Sequence, residues 1–204
     1  MNRITKATLQ DKNLISDILG EAFCDDSVMT YLLEKPDIAD KFFGALFEHI
    51  YLPFDCSFYV MDSNNEAMGC ALWSRPGQDP NALSFGFLRA LWQVRKQLTF
   101  SSLKRFSAIS NLSQRYHPKE PHYYLCAIGV KQSHRRKGVA SQLVSHVLNM
   151  ADQEQVPAYL ENSKEQNLPF YQKYGFEVIH KHMLENNALP VWFMRRSPQP
   201  LEQN

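Results

Sequence analysis

The feature that most constrains this chain is the run His122–Val130, HYYLCAIGV, because apolar and polar residues do not alternate along it. A strand with one wet face alternates, whereas a strand covered on both faces reads as a nearly continuous apolar run. Such a strand needs helices packed on both sides of its sheet. Pro118 and Pro121 hold the chain extended on the way in. After it, Val139, Leu143, Val147, Met150 and Ala151 fall on one stripe and predict a helix over about 136–153.

The rest of the chain fits around this strand and helix. Residues 3–8 predict a short first strand, and Leu14, Ile15, Ile18, Leu19 and Phe23 predict a helix over 12–24. Phe42, Phe43, Leu46 and Ile50 place a second helical stretch within 27–50, broken at Pro36. Cys56–Met61 and Ala67–Trp73 form a hairpin about the turn Asp62-Ser63-Asn64-Asn65, closed by Arg75-Pro76-Gly77. Phe85, Leu88, Leu91, Trp92, Leu98, Leu103, Phe106 and Ile109 predict one or two helices in 81–116, with a polar break at Thr99–Ser102, and read as core and substrate wall. Pro157–Leu160 is a further buried strand. Asn167, Pro169 and Gly175 mark the cap, first turn and end of a short helix, and Phe176–Met183 with Val191–Met194 complete a strand pair. The order predicts one mixed α/β domain over residues 1–204.

Composition removes several function classes. Of 204 residues, 44% are hydrophobic and 21% charged, the balance of a globular chain, and a net charge of +1 supplies no global field for nucleic acid. Cys24, Cys56, Cys70 and Cys126 form no CxxC pair, and the N-terminus lacks a secretory apolar segment, so a reducing cytoplasm is expected. No apolar run approaches the ~20 residues of a membrane span. Neither nucleic acid nor membrane is expected as a partner. No Walker A loop and no G-x-G-x-x-G are present, and the histidines show no metal-ligand spacing, so no metal is expected.

Arg135, Arg136 and Lys137 stand at the start of the 136–153 helix, where the macrodipole already presents positive charge. The placement is unfavourable by some tenths of a kcal/mol per cation unless an anion binds the free N–H groups there. Gly138 and Ala140 are small enough to let phosphate approach the backbone. From these residues alone, an anion site and a solvated basic helix start remain equal alternatives.

The segment Arg135–Ala140 after a strand ending in Gly129-Val130 resembles the acyl-CoA motif Q/R-x-x-G-x-G/A of the GNAT acetyltransferase superfamily. PAYLEN and NLPFYQKYGFEV resemble its next strand and its N…Y-x-x-x-G-F helix. Residues 117–121, Leu160-Glu161 and Asn167–Tyr171 are most similar to the puromycin N-acetyltransferase-like branch. The chain departs from the pattern at Arg136, where many relatives carry glycine.

The resemblance implies a mostly antiparallel central sheet with one splayed parallel pair and helices on both faces. Acetyl-CoA would lie in the splay, its pantetheine amides on the backbone of Ile128 and Val130. Its pyrophosphate would sit on Arg135, Arg136, Lys137, Gly138, Val139, Ala140 and Ser141, with Asn167 as a further contact or a helix cap. The reaction would be direct attack of a neutral amine on the thioester, with Tyr171 as general acid and Glu161 or Glu120 as base. Cys126 is a small hydrophobe on the strand or, less in keeping with its surroundings, an acyl-accepting nucleophile. The acceptor would be a small-molecule amine, the alternatives being a protein or peptide amine or a silent acetyl-CoA-binding module, and the protein a monomer or homodimer.

Overall fold

The computed structural model describes residues 2–34, 38–78, 85–96, 98–184 and 189–200. Strand β1 (Arg3–Lys6) leads into helices α1 (Lys12–Phe23), α2 (Ser27–Leu33) and α3 (Ala39–Leu46). A π-helical turn at Phe47–Tyr51 extends α3 into the short α4 (Leu52–Phe54). The hairpin β2 (Ser57–Met61) and β3 (Ala67–Ser74) precedes helices α5 (Phe85–Val94) and α6 (Phe100–Tyr116). Then follow β4 (Tyr123–Val130), α7 (Val139–Gln153), β5 (Ala158–Asn162), α8 (Leu168–Lys173) and the closing pair β6 (Glu177–Leu184) and β7 (Leu189–Arg196).

The strands form one seven-stranded sheet in the order β1-β2-β3-β4-β5-β7-β6. Every adjacent pair is antiparallel except β4 and β5. Both faces are covered, which is why HYYLCAIGV does not alternate. Ala127, Cys70 and Leu72 pack with Ile15, Ile18 and Leu19 of α1. On the other face Leu125, Ala71 and Trp73 pack with Leu143, Val144 and Val147 of α7. At Gly129 the helix α1 crosses so closely that an added Cβ would stand 2.8 Å from the Cβ of Ala22.

Several element boundaries differ from the sequence pattern for identifiable reasons. β1 ends at Lys6, not residue 8, because the Thr8 N–H donates to the Asp11 carboxylate at 2.8 Å and turns the chain. The 27–50 stretch divides after Leu33, where Glu34 takes a φ of 59°; the expected break at Pro36 lies outside the described residues. α7 starts at Val139, not 136, because Arg136 and Gly138 hold φ at 62° and 76°. α6 begins where the Thr99 hydroxyl accepts the Ser102 N–H at 3.0 Å; residues 81–84 lie outside the described ones. β7 runs on both sides of Val191–Met194 because Leu189 and Pro190 still pair with β6, and Arg195 and Arg196 with β5.

The 81–116 segment is the larger correction. Leu112 and Tyr116 pack on Tyr124 and Tyr159 over β4 and β5, so the inner side of α6 is a wall. Phe85, Leu88, Trp92 and Leu103, expected in the core, are exposed.

Candidate active site

The parallel ladder between β4 and β5 stops early. Tyr123, Tyr124 and Leu125 pair with Ala158, Tyr159 and Leu160, and beyond Leu125 the strands part. On its other side β4 stays paired to β3 as far as Val130. One residue in that ladder is supernumerary: Leu72 faces Ala127 and Trp73 faces Leu125, leaving Cys126 as a bulge. The bulge reverses which backbone groups face which neighbour. Before it, the Tyr123 N–H donates to Pro157 on the β5 side; after it, the Lys131 N–H donates to Met68 on the β3 side. With a period of two, Ala127 and Gly129 bond toward β3, and the N–H and C=O groups of Ile128 and Val130 face the gap.

A cavity of about 120 Å³ fills the gap, lined among others by Cys126, Ile128, Glu161, Asn167, Tyr171 and Asp26. Glu161 comes from the end of β5 and accepts hydrogen bonds from the Ser113 hydroxyl of α6 and, at 3.1 Å, from the Tyr159 hydroxyl. Burial pushes its carboxyl above the ordinary value, against the pull of those two donors. Tyr171 comes from α8, where Pro169 and Gly175 bound the helix as the sequence pattern requires. Burial pushes its phenol well above the ordinary value, and its hydroxyl has no hydrogen-bond partner among the described residues. Tyr174, the neighbouring tyrosine, stacks edge-on against Phe170. Asn167 does not cap α8 with its side chain, which instead turns back to Asn162 at 3.4 Å.

A second cavity, about 420 Å³, lies at the start of α7 and is lined by Val130, Arg135, Arg136, Gly138, Val139, Ala140 and Ser141, with His134 and Phe170. The first intrahelical bond of α7 runs from the Gln142 N–H to the Gly138 C=O at 3.0 Å. The N–H groups of Val139, Ala140 and Ser141 therefore have no acceptor within the helix, and no side chain caps them. Val130 belongs to the same strand as the gap, so the two cavities follow one another along β4. Together they fit a long ligand with amides in its middle and an anion at one end.

The structure does not bring every expected residue here. Glu120 is held by Arg195 in an exposed ion pair at 2.7 Å and lines a different cavity, beside Pro118 and His122. Lys137 lines neither the gap nor the loop cavity. Burial pushes the Cys126 thiol up to about 12, so it carries no thiolate at neutral pH. Asp62, Glu66 and His134 bring possible ligand atoms within 4.8 Å of one another at the β2–β3 turn. None of the three lines the gap.

Asp26 escaped the sequence reading. It caps α2 by accepting the N–H groups of Val28 and Met29 at 3.0 and 2.9 Å, and its other oxygen accepts the Ser163 hydroxyl at 2.7 Å. It thus ties the α1–α2 corner to the end of β5 across the gap. An aspartate just before a helical run is an N-cap signal and was available in the sequence.

A sheet opened between its one parallel pair, with an anion-receptive helix start beside the opening, is the class of site that takes an extended amide-bearing phosphate ester, as acyl-coenzyme A is. The chain belongs to the Acetyltransferase (GNAT) family, which it matches over residues 21–176, and members of that family use acetyl-CoA as co-substrate. It is 30% identical over 193 residues to an uncharacterized N-acetyltransferase of Schizosaccharomyces pombe, covering 89% of this chain and 77% of that protein. A shorter stretch of 60 residues is 32% identical to N-alpha-acetyltransferase 50 of Danio rerio, 28% of this chain and 36% of the relative. Its fold is similar to that of a solved structure described as histone acetyltransferase HPA2 and related acetyltransferase from Corynebacterium glutamicum, at TM-score 0.71 and 26% identity over 99% of both chains. The protein is an acetyltransferase of the GNAT type.

Proposed function

We propose that the 204-residue chain works as one catalytic domain that moves an acetyl group from acetyl-CoA to the primary amine of a small molecule. The observation that carries the reading is the meeting of Glu161 and Tyr171, from different elements, in the gap where β4 and β5 part. Acetyl-CoA, when bound, supplies a thioester carbon for an amine to attack.

The chain's own groups then have distinct tasks. Ile128 and Val130 offer backbone donors and acceptors to the amides of the pantetheine arm. Arg135 and Arg136, with the free N–H groups of Val139, Ala140 and Ser141, hold the pyrophosphate; Lys137 contributes charge from outside the cavity. Glu161 takes the proton of the incoming ammonium, directly or through a water, and its raised pKa brings it closer to that of a useful base at neutral pH. Ser113 and Tyr159 fix the carboxylate while it does so. Tyr171 hydrogen-bonds the sulfur and gives its proton to the thiolate as the C–S bond breaks, and it is reprotonated by the acylated nitrogen, which sheds its second proton to become a neutral amide. Glu120 is set aside as the base because Arg195 holds it in another cavity. Asn167 orients Asn162 and the cavity wall and is a cofactor contact only through that position.

The acceptor side supports a cationic amine, since Glu161 and Asp26 are the carboxylates lining the cavity. The resemblance of residues 117–121, Leu160-Glu161 and Asn167–Tyr171 in sequence to the puromycin N-acetyltransferase-like branch is what supports a small molecule. A peptide N-terminus is the second reading, favoured by the 60-residue likeness to N-alpha-acetyltransferase 50. Four free cysteines fit a reducing compartment, and among the described residues no helix is long and apolar enough to cross a membrane.

The test is Tyr171→Phe assayed with an amine panel and a peptide panel. An acid role lowers kcat by about 10²–10⁴-fold with acetyl-CoA affinity unchanged. Unchanged kcat removes Tyr171 from the mechanism, and wild-type protein that binds acetyl-CoA without acetylating any amine makes the chain a silent binding module.

A further inference from the structure

Helices α5 and α6 present a surface the catalytic reading does not use. Phe85, Leu88 and Trp92 of α5 are 72%, 57% and 66% exposed, and Phe100 and Leu103 at the start of α6 are 73% and 43% exposed. The spacing of the α5 trio puts them on one face, opposite the buried Ala90 and Val94. Phe87 and Leu91 of α5 line a groove of about 330 Å³ with Leu103 and Phe106 of α6, so the two helices frame one groove. Large apolar side chains exposed on both helices that frame such a groove mark an interaction surface.

Charge is segregated on the same segment. The sequence has no acidic residue between Asp79 and Glu120, while Arg89, Arg95, Lys96, Lys104, Arg105, Arg115 and Lys119 fall inside that interval. The whole chain carries only +1, so this positive charge is local. Arg105 is committed to Glu34 at 3.1 Å. Three other cations lie over the exposed rings: Arg89 at 4.7 Å from the Phe85 centroid, Arg95 at 3.8 Å from Trp92, and Lys104 at 4.8 Å from Phe100.

We infer that the α5–α6 face docks this protein on an anionic lipid bilayer. The rings and leucines enter the boundary between headgroups and acyl chains, and the cations meet lipid phosphates and carboxylates. A second copy of the chain does not suit the face, because a symmetric contact would set Arg89, Arg95, Lys96 and Lys104 against themselves, with Glu34 already taken by Arg105. Nucleic acid stacks its bases on free ring faces, and here each exposed ring already carries a guanidinium or an ammonium. Leu88 and Leu103 add aliphatic surface that lipid buries and bases do not. The inner side of α6 meanwhile holds Ser113 on Glu161, so one helix serves both the docking face and the active-site gap.

The protein carries its own probe. Of its three tryptophans, Trp73 and Trp192 are buried and Trp92 is exposed. Phosphatidylcholine vesicles containing phosphatidylserine are expected to shift Trp92 emission to the blue and to carry the full chain upward in flotation, with a steep loss at high salt; phosphatidylcholine alone does neither. Replacing Arg89, Arg95, Lys96 and Lys104 together by Gln weakens partition by roughly a hundredfold or more. Replacing Phe85, Trp92 and Phe100 by Ser abolishes flotation, with circular dichroism and acetyl-CoA affinity unchanged. The inference is overturned if wild-type protein neither shifts nor floats with anionic vesicles, or if the four-Gln variant binds them as tightly. It is equally overturned if sedimentation shows a dimer that buries Trp92 without lipid, or if RNA shifts Trp92 at lower concentration than vesicles do. The readout is lipid binding, not turnover, so its failure leaves the acetyl-transfer reading standing.

Discussion

Arg136 holds a φ of 62°, a left-handed conformation that costs a residue with a Cβ about 1–2 kcal/mol. Glycine would adopt this conformation without that cost, and what arginine gains there is a guanidinium on the wall of the loop cavity. The two effects separate by mutation. Arg136→Gly is expected to raise Tm by about 2–4 °C while weakening acetyl-CoA binding several-fold, measured by thermal scans and calorimetry. Glu161 carries a different trade. Its folded pKa is raised, so the stability tied to its neutral form is complete below the unfolded value near 4.5 and is lost as pH rises through the folded value. Glu161→Gln therefore melts above wild type at pH 8, the gap closing toward pH 4.5, and the same variant loses the rising acid limb of the kcat profile with a fall of about 10²-fold or more.

Elements show which parts of the molecule were legible in the sequence. HYYLCAIGV announced a doubly covered strand because burial on both faces is a local compositional fact. The cations of Arg135–Ala140 and the Pro169 and Gly175 that bound the Tyr171 helix mark where two helices begin and end, but the residues alone left the loop an even choice between anion site and basic helix start, and only the family resemblance pointed to Tyr171. The bulge at Cys126 was not, since no residue type demands one and its cause lies in the pairing with β3. Ser113 was not either, being 48 residues from the carboxylate it serves. For α5 the period told which residues share a face but not whether anything covers it. Gly129, which the sequence marks only as the end of the strand, is where α1 crosses β4 too closely for a side chain. Gly129→Val is expected to cost about 1–3 kcal/mol in urea unfolding by forcing the helix away, and to raise the KM for acetyl-CoA because the same displacement bends the edge carrying Ile128.

At the scale of the whole molecule, a largely buried ion pair fastens the last strand to α7. Arg196 of β7 donates to both oxygens of Asp152 at 2.7 and 2.8 Å and to the Tyr174 C=O at 2.7 Å, closing α7, α8 and β7 on one another. Burial pushes the Asp152 carboxyl up, yet the hydrogen bonds from Arg196 and the Gln199 N–H, with the guanidinium charge, hold it below its ordinary value. Its contribution is present above the unfolded pKa and lost as pH falls through the folded one, opposite in sign to that of Glu161. Arg196→Met leaves that carboxylate without its partner, and the Tm deficit of the variant should shrink in acid and be largest near neutrality. The alternation along β4 has a kinetic signature as well. In the free protein the amides of Ala127 and Gly129 bond to β3, whereas those of Ile128 and Val130 point into the gap. Every second amide of that stretch should therefore exchange its proton for deuterium quickly, in a comb pattern unlike that of any other central strand. Acetyl-CoA should slow the fast teeth and leave the slow ones unmoved, so that the sheet itself records when its missing strand has arrived.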